Sequence, residues 1–357
     1  MTSYSRINID RFINTLGGTI HPDNHCSFDI QASTTKNAIY PLTHYGFLRI
    51  QGTDAGQFLQ GQITTDISKV NHQLGELGSY CTPKGRAISS FYLSLYNSDD
   101  YLLRMRTDIV DSTLAVFAKY IVFSKAEQHN YSDDLIAIGL SGPQVKQNLV
   151  DTFGTAPNTR GEIVTHEENR LLQLDDHGLL FECWLSLSSI EASWPALSHG
   201  LSLNSSSHWE LKTITLGIAE VSENTVDMFI PQMLNYHHTG AISFTKGCYT
   251  GQEIIARMHY KGKLKRQLYR INAHEQLSAG DELYKISADK SLKVIGNAVN
   301  SAPIHMDSHS SLDTKKYEAL AVLTISDVED EQVIIVTANN KEIKLLPLPY
   351  AITTSED

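Results

Sequence analysis

The chain has 357 residues and a net charge of −11, a length that accommodates two or three domains and an acidity that excludes a general nucleic-acid or membrane binder. With 41% hydrophobic and 8% aromatic residues it can bury a sizeable core, which excludes global disorder. Four dispersed cysteines without a CxxC spacing read as cytosolic thiols rather than a disulfide framework, no stretch approaches the roughly 18 apolar residues of a membrane helix, and Met1–Asp10 lacks the charged and apolar runs of a signal peptide.

Residues 1–40 are polar and read as an extension with one weak helix, Ile7–Leu16, ended by Gly17-Gly18. His21, His25 and Cys26 cluster there without a visible fourth ligand, so no metal site is expected. Phe47–Ile50 reads as a strand, followed by a turn at Gly52-Thr53-Asp54 and a short helix with Phe58, Leu59 and Ile63 on its apolar side, Thr53 being the candidate N-cap. Ile88–Tyr96 and Tyr101–Arg106 are β-rich runs about a hairpin at Asn97–Asp100. Asp111–Phe123 carries Leu114, Phe117, Ala118 and Ile121 at helical spacing. Leu135–Leu140 predicts a strand, as do Leu171–Leu174 and Leu179–Trp184 across the turn Asp175-Asp176-His177-Gly178. Trp209–Leu216 reads as a helix closed by Gly217. Beyond about Gln267, short β-rich runs (Leu268–Ile271, Leu292–Ile295, Ala319–Thr324, Gln332–Thr337) suggest a small antiparallel barrel or sandwich. Strands and helices alternate without βαβ regularity, so the class is α+β.

The segment with chemistry is Lys246-Gly247-Cys248-Tyr249-Thr250-Gly251-Gln252-Glu253. Thr250 and Glu253 have capping-box spacing, and Ile254, Ile255 and Met258 continue an apolar stripe, so a helix is expected from about Gly251. Cys248 then stands at a helix entry beside Lys246, and both dipole and ammonium favour its thiolate. The residues alone equally allow a small buried thiol in a turn. Gly247 and Gly251 permit a sharp bend or a close approach. Residues 246–270 carry Lys246, Arg257, Lys261, Lys263, Lys265, Arg266 and Arg270 against Glu253 alone. This basic run in an acidic chain is either a solvated helix face or a site for an anion: a glutamate tail, a phosphate backbone or an acidic partner.

Phe244–Glu253, followed by Ala256-Arg257 and Lys265-Arg266, resembles the signature of the YgfZ family, relatives of the glycine-cleavage T-protein. Further matches are Phe58–Gln62 with Thr65-Asp66, Lys119-Tyr120, Val122–Lys125, Phe229–Gln232 and Pro347–Tyr350. Only residues 1–40 and parts of 144–207 fall outside. The resemblance implies a three-module ring around a channel that holds folate, with Cys248 facing it. It implies an N-terminal extension at 1–40, a T-protein-like folate-binding region of two intertwined subdomains at 41–265, and a C-terminal antiparallel β-barrel at 266–357.

It also implies a cytoplasmic protein that binds tetrahydrofolate or a derivative. That protein supports synthesis or repair of iron–sulfur clusters in client enzymes, including those that modify tRNA. Contact with tRNA is then only indirect, no membrane is involved, and a monomer is expected. The site residues carried over are Cys248 as functional thiol with Lys246, and Tyr45, Trp209, Tyr249, Gln252, Glu253 and Arg257 toward the cofactor. Aromatic faces at Tyr45 and Trp209 suit a flat pterin; the position of Tyr45 is often Trp in the family, so the indole donor is lost there.

T-proteins carry an acid pair after a Gly-rich turn, where this chain reads Gly85-Arg86-Ala87-Ile88-Ser89-Ser90. A serine cannot serve as the acid of aminomethyl transfer near neutral pH. The accessory reading therefore leads, ahead of a folate-dependent one-carbon transferase and of an RNA-binding module built on Lys261–Arg270.

Overall fold

The computed structural model describes residues 6–28, 36–287, 290–304 and 316–352. They fall into two units, one of Met1–Gln60, Asp66–Leu77 and Phe91–Trp209, the other of Gly61–Thr65, Gly78–Ser90 and Glu210–Asp357. Among the described residues no helix is long and apolar enough to cross a membrane.

The first unit is built on Leu135–Ser141, seven residues that are all buried. Such a run without alternation belongs to a strand covered on both faces. It lies in the interior of a six-stranded sheet in the order Ile163–His166, Asn169–Gln173, Leu180–Ser186, Leu135–Ser141, Ala38–Pro41, Ser202–Leu203. The last pairing is parallel and the others are antiparallel. Helices Val145–Phe153 and Leu187–Leu197 supply Leu149, Ile190 and Leu197 to the core beside Ile138, Phe181 and Leu185. Neither helix stands out in the sequence. The second is rich in serine and holds Pro195, and it is started by Ser186, whose Oγ accepts from the Ser189 N–H at 3.2 Å. A second antiparallel sheet of this unit pairs residues 92–97 with Asp100–Arg106, that strand with Tyr45–Gln51, and Tyr45–Gln51 with Glu127–Asn130, with the expected hairpin turning at Asp99.

Residues 6–28 do more than the polar composition of 1–40 suggests. Helix Arg6–Thr15 and the paired strands Gly18–Ile20 and Cys26–Phe28 place Phe12, Ile13, Cys26 and Phe28 in the core of the first unit. The strands are three residues each, too short for a period-2 signal.

The second unit ends in one antiparallel sheet in the order Ile335–Val336, Glu282–Ile286, Leu292–Pro303, Tyr317–Thr324, Arg266–Ala273, Lys344–Leu346. Its register shifts at Leu283/Tyr284 and at Ala298/Asn300. Such bulges add local twist, and the sheet curls into a half-barrel over Ile271, Leu283, Ile295, Ala321 and Leu323. The run expected at Gln332–Thr337 contributes only Ile335–Val336. The α+β class and the curled C-terminal sheet are both as the sequence led one to expect.

Candidate functional site

The signature segment lies in the second unit, and its neighbours there are the short segments 61–65 and 78–90. Lys246 is buried, and its ammonium donates to the carbonyls of Ile63 at 2.8 Å and Thr65 at 2.6 Å. Its Nζ also stands 5.1 Å from the centre of the Tyr249 ring, within cation–π range. Tyr249 is itself buried, and that burial pushes its phenol pKa up. Thr250 is fixed twice, by its N–H to the Gly61 carbonyl at 3.2 Å and by its hydroxyl to Gln62 Oε1 at 3.2 Å. Gln252 donates from Nε2 to the Gly247 carbonyl at 3.3 Å and closes the loop on itself. Glu253 and Arg257 are exposed on the helix that follows.

The capping box expected from Thr250 and Glu253 is not made. The helix runs Gln252–Lys261, its N-cap is Gly251 in the left-handed region at φ 85°, and no side chain caps it. Two forces displace the box: the Thr250 hydroxyl bonds to Gln62 instead, and the backbone at Gly251 passes very close to segment 82–85. A Cβ on Gly251 would meet the Thr82 carbonyl oxygen at 2.5 Å. Lys246 likewise differs from its expected place beside the thiol, for its ammonium serves the carbonyls of 63 and 65 and anchors the loop.

Cys248 stands exposed between these fixed residues, while Cys26, Cys81 and Cys183 are buried. Burial pushes all three buried thiols up, Cys81 to about 12. A thiol held in its neutral form is a poor nucleophile and metal ligand. Access and chemistry thus single out Cys248.

Of the two serines in place of the acid pair, Ser90 is structural: its Oγ accepts from the Val221 N–H at 2.8 Å, whereas Ser89 Oγ is buried without a hydrogen-bond partner among the described residues and only its backbone carbonyl is engaged, by Ser79 Oγ at 2.7 Å. Neither offers a carboxylate's proton chemistry.

Tyr45 and Trp209 belong to the first unit, and both are buried. The Arg104 guanidinium lies over the Tyr45 ring, 3.9 Å from its centre. Arg104 also pairs with Glu182 at 2.9 Å, and Glu182 accepts from Trp184 Nε1 at 2.6 Å, all three being buried. This buried ionic pair was not picked out from sequence; the available signal was a lone glutamate inside the apolar strand Leu180–Ser186. Trp209 packs on Gly139, where an added Cβ would lie 2.3 Å from the indole, and lies 5.6 Å from the Tyr40 ring. Its indole Nε1 is buried and has no partner among the described residues. A buried donor without an acceptor costs about 1–3 kcal/mol, so this atom marks a place where something with a lone pair belongs.

Residues 22–165 match the family described as GCVT N-terminal domain. The chain is 28% identical over 326 residues to the tRNA-modifying protein YgfZ of Klebsiella pneumoniae (strain 342), a match that spans 89% of this chain and 96% of that protein. Among solved structures it resembles the glycine cleavage system aminomethyltransferase T from Bartonella henselae with a TM-score of 0.73, over 96% of this chain and 97% of that one. Identity to the latter is 12%, so that likeness speaks for the fold.

Proposed function

We propose that this chain, a member of the YgfZ family on the T-protein fold, is a tetrahydrofolate-binding accessory protein for the synthesis or repair of iron–sulfur clusters in client enzymes, and that it supports tRNA modification through them. The observation that carries the reading is Cys248: one exposed thiol among four, on a loop whose flanking residues are all tied down. A cubane cluster commonly takes four thiolates. One accessible thiol therefore acts on a cluster that a client shares, rather than on a cluster held by this chain alone. A Cys248→Ala chain is expected to fold with its stability unchanged to within about 0.5 kcal/mol, because the side chain is exposed. It should fail to restore the activity of an iron–sulfur tRNA-modifying enzyme in cells lacking the protein. Full rescue would sink the thiol's role.

Folate binding is supported by the orphaned Trp209 donor, which fits an acceptor atom of the cofactor, and by the aromatic ring of Tyr45, whose flat face fits a pterin. When bound, tetrahydrofolate supplies a carrier for one-carbon units. The chain's own part is to bind and orient it, since the residues at 89 and 90 provide no acid. Replacing Trp209 by Phe removes the unpaired N–H and keeps most of the packing. Stability should hold or rise, while the Kd for tetrahydrofolate measured by calorimetry should rise about tenfold, the worth of one hydrogen bond. An unchanged Kd would remove Trp209 from the site.

A further inference from the structure

The basic run after the signature segment has a second feature beside its charge. Along helix Gln252–Lys261 and just past it, Arg257, His259, Tyr260, Lys261, Lys263 and Lys265 are all exposed. Phe244 stacks on His259 with ring centres 3.7 Å apart and planes 12° from parallel. Tyr260 meets both rings edge-on, at 6.5 Å from Phe244 and 4.7 Å from His259, and keeps 66% of its surface in solvent.

A solvated helix face does not account for this arrangement. On such a face, opposite charges four residues apart pair with one another. Glu253 stands four residues before Arg257, yet among the described residues neither forms an ion pair, and no ion pair or side-chain hydrogen bond engages Lys261, Lys263 or Lys265. Nor does a folate glutamate tail need an exposed aromatic platform. Unneutralised cations interleaved with an open aromatic face suit a polyanion that also carries flat rings, which is the chemistry of unpaired nucleotides: phosphates meet the lysines and a base stacks on the ring. In a chain of net charge −11, this stretch is a local exception.

We infer that this face of the second unit binds single-stranded RNA, with Tyr260 as a stacking platform and Arg257, Lys261, Lys263 and Lys265 as phosphate contacts. A duplex suits the face less well, because its bases are stacked on one another and closed to the tyrosine, and weaker binding of the matching duplex is the expected result. The choice of RNA over DNA rests on the proposed function; the surface itself stands without it.

The test is fluorescence anisotropy of the full chain with a labelled single-stranded RNA of about 12 nucleotides, a length in the range of single-strand sites, titrated from about 50 to 200 mM salt. Four phosphate contacts predict a slope of log K on log salt of about −3. Tyr260→Ala should weaken binding about 5- to 100-fold, the usual worth of one stacked base, and K261E/K263E/K265E should abolish it. These side chains are exposed, so both variants should melt as the native chain does. No binding at the lowest salt overturns the inference. So does equal affinity for polyglutamate with no effect of Tyr260→Ala, which would make the face a general anion surface or a dock for an acidic protein. Tighter binding to single-stranded DNA overturns the choice of RNA. Tetrahydrofolate affinity, measured on the same preparations, should be unchanged in both variants, so failure here is distinguishable from failure of the folate reading.

Discussion

Replacing Lys246 by Met should destabilise the second unit by about 2–4 kcal/mol, which for a unit of this size lowers its Tm by roughly 5–15 °C. The stem of the side chain survives in methionine; only the ammonium is lost. That ammonium makes two short hydrogen bonds to backbone carbonyls, at 2.8 and 2.6 Å, from a buried position. Hydrogen bonds from a charged donor are worth about 1.5–3 kcal/mol each. The carbonyls of Ile63 and Thr65 lose their donor, and the Tyr249 ring loses the charge over it. Calorimetry reads the stability, and hydrogen exchange of the Tyr249 and Thr250 amides reads the loop. If Lys246 served only the thiol, the Met variant would melt like the native chain with unchanged exchange, and the anchoring role assigned here would be wrong.

Substituting Gly251 by Ala is expected to cost about 2–4 kcal/mol, whereas the same change at Gly247 should cost under about 1 kcal/mol. The two glycines flank the same cysteine but differ in their surroundings. Gly251 holds φ at 85°, which an L side chain rarely adopts, and its added Cβ would press on the Thr82 carbonyl oxygen at 2.5 Å. That oxygen belongs to backbone and cannot swing aside. At Gly247 nothing lies within 4 Å of the added atom. Parallel denaturant titrations check the difference, and equal costs would show that loop 82–85 yields freely. Gly247→Ala adds a methyl group to open space beside the exposed thiol.

Local patterns made most of the scaffold readable in advance. The buried run at Leu135–Ser141, the hairpin at Asp99 and the helix stopped by Gly217 at φ 67° each carry their signal within a few residues. The candidate site is legible in the sequence as the signature segment with Cys248, but the bonding of that segment is not. Thr250 fits a capping box by spacing; its hydroxyl is drawn instead to Gln62, which lies 188 residues earlier. The partners of Lys246 lie 183 and 181 residues away and are backbone carbonyls, which no side-chain pattern marks. Phe58–Gln62 and Thr65-Asp66 resemble the family's first helix, and nothing in them marks that Gln62 and the carbonyls of 63 and 65 seat the signature loop. The helix Leu187–Leu197 was hidden by Pro195 and its serines, and the strands of residues 18–28 by their brevity.

The great distance along the chain between Lys246 and its acceptors also sets an order of events in biosynthesis. Segments 61–65 and 78–90 leave the ribosome well over a hundred residues before the loop that they receive. Closing so long a span is entropically slow and comes late. For the time it takes to make the intervening chain, those segments have no loop to hold, and Cys248 emerges as part of an unanchored strand of polypeptide. The accessible thiol is therefore a product of the last stage of folding. A nascent or truncated chain ending before residue 246 holds the receiving segments without the loop that they seat, so the anchored loop and its exposed thiol form only after that loop has itself been made.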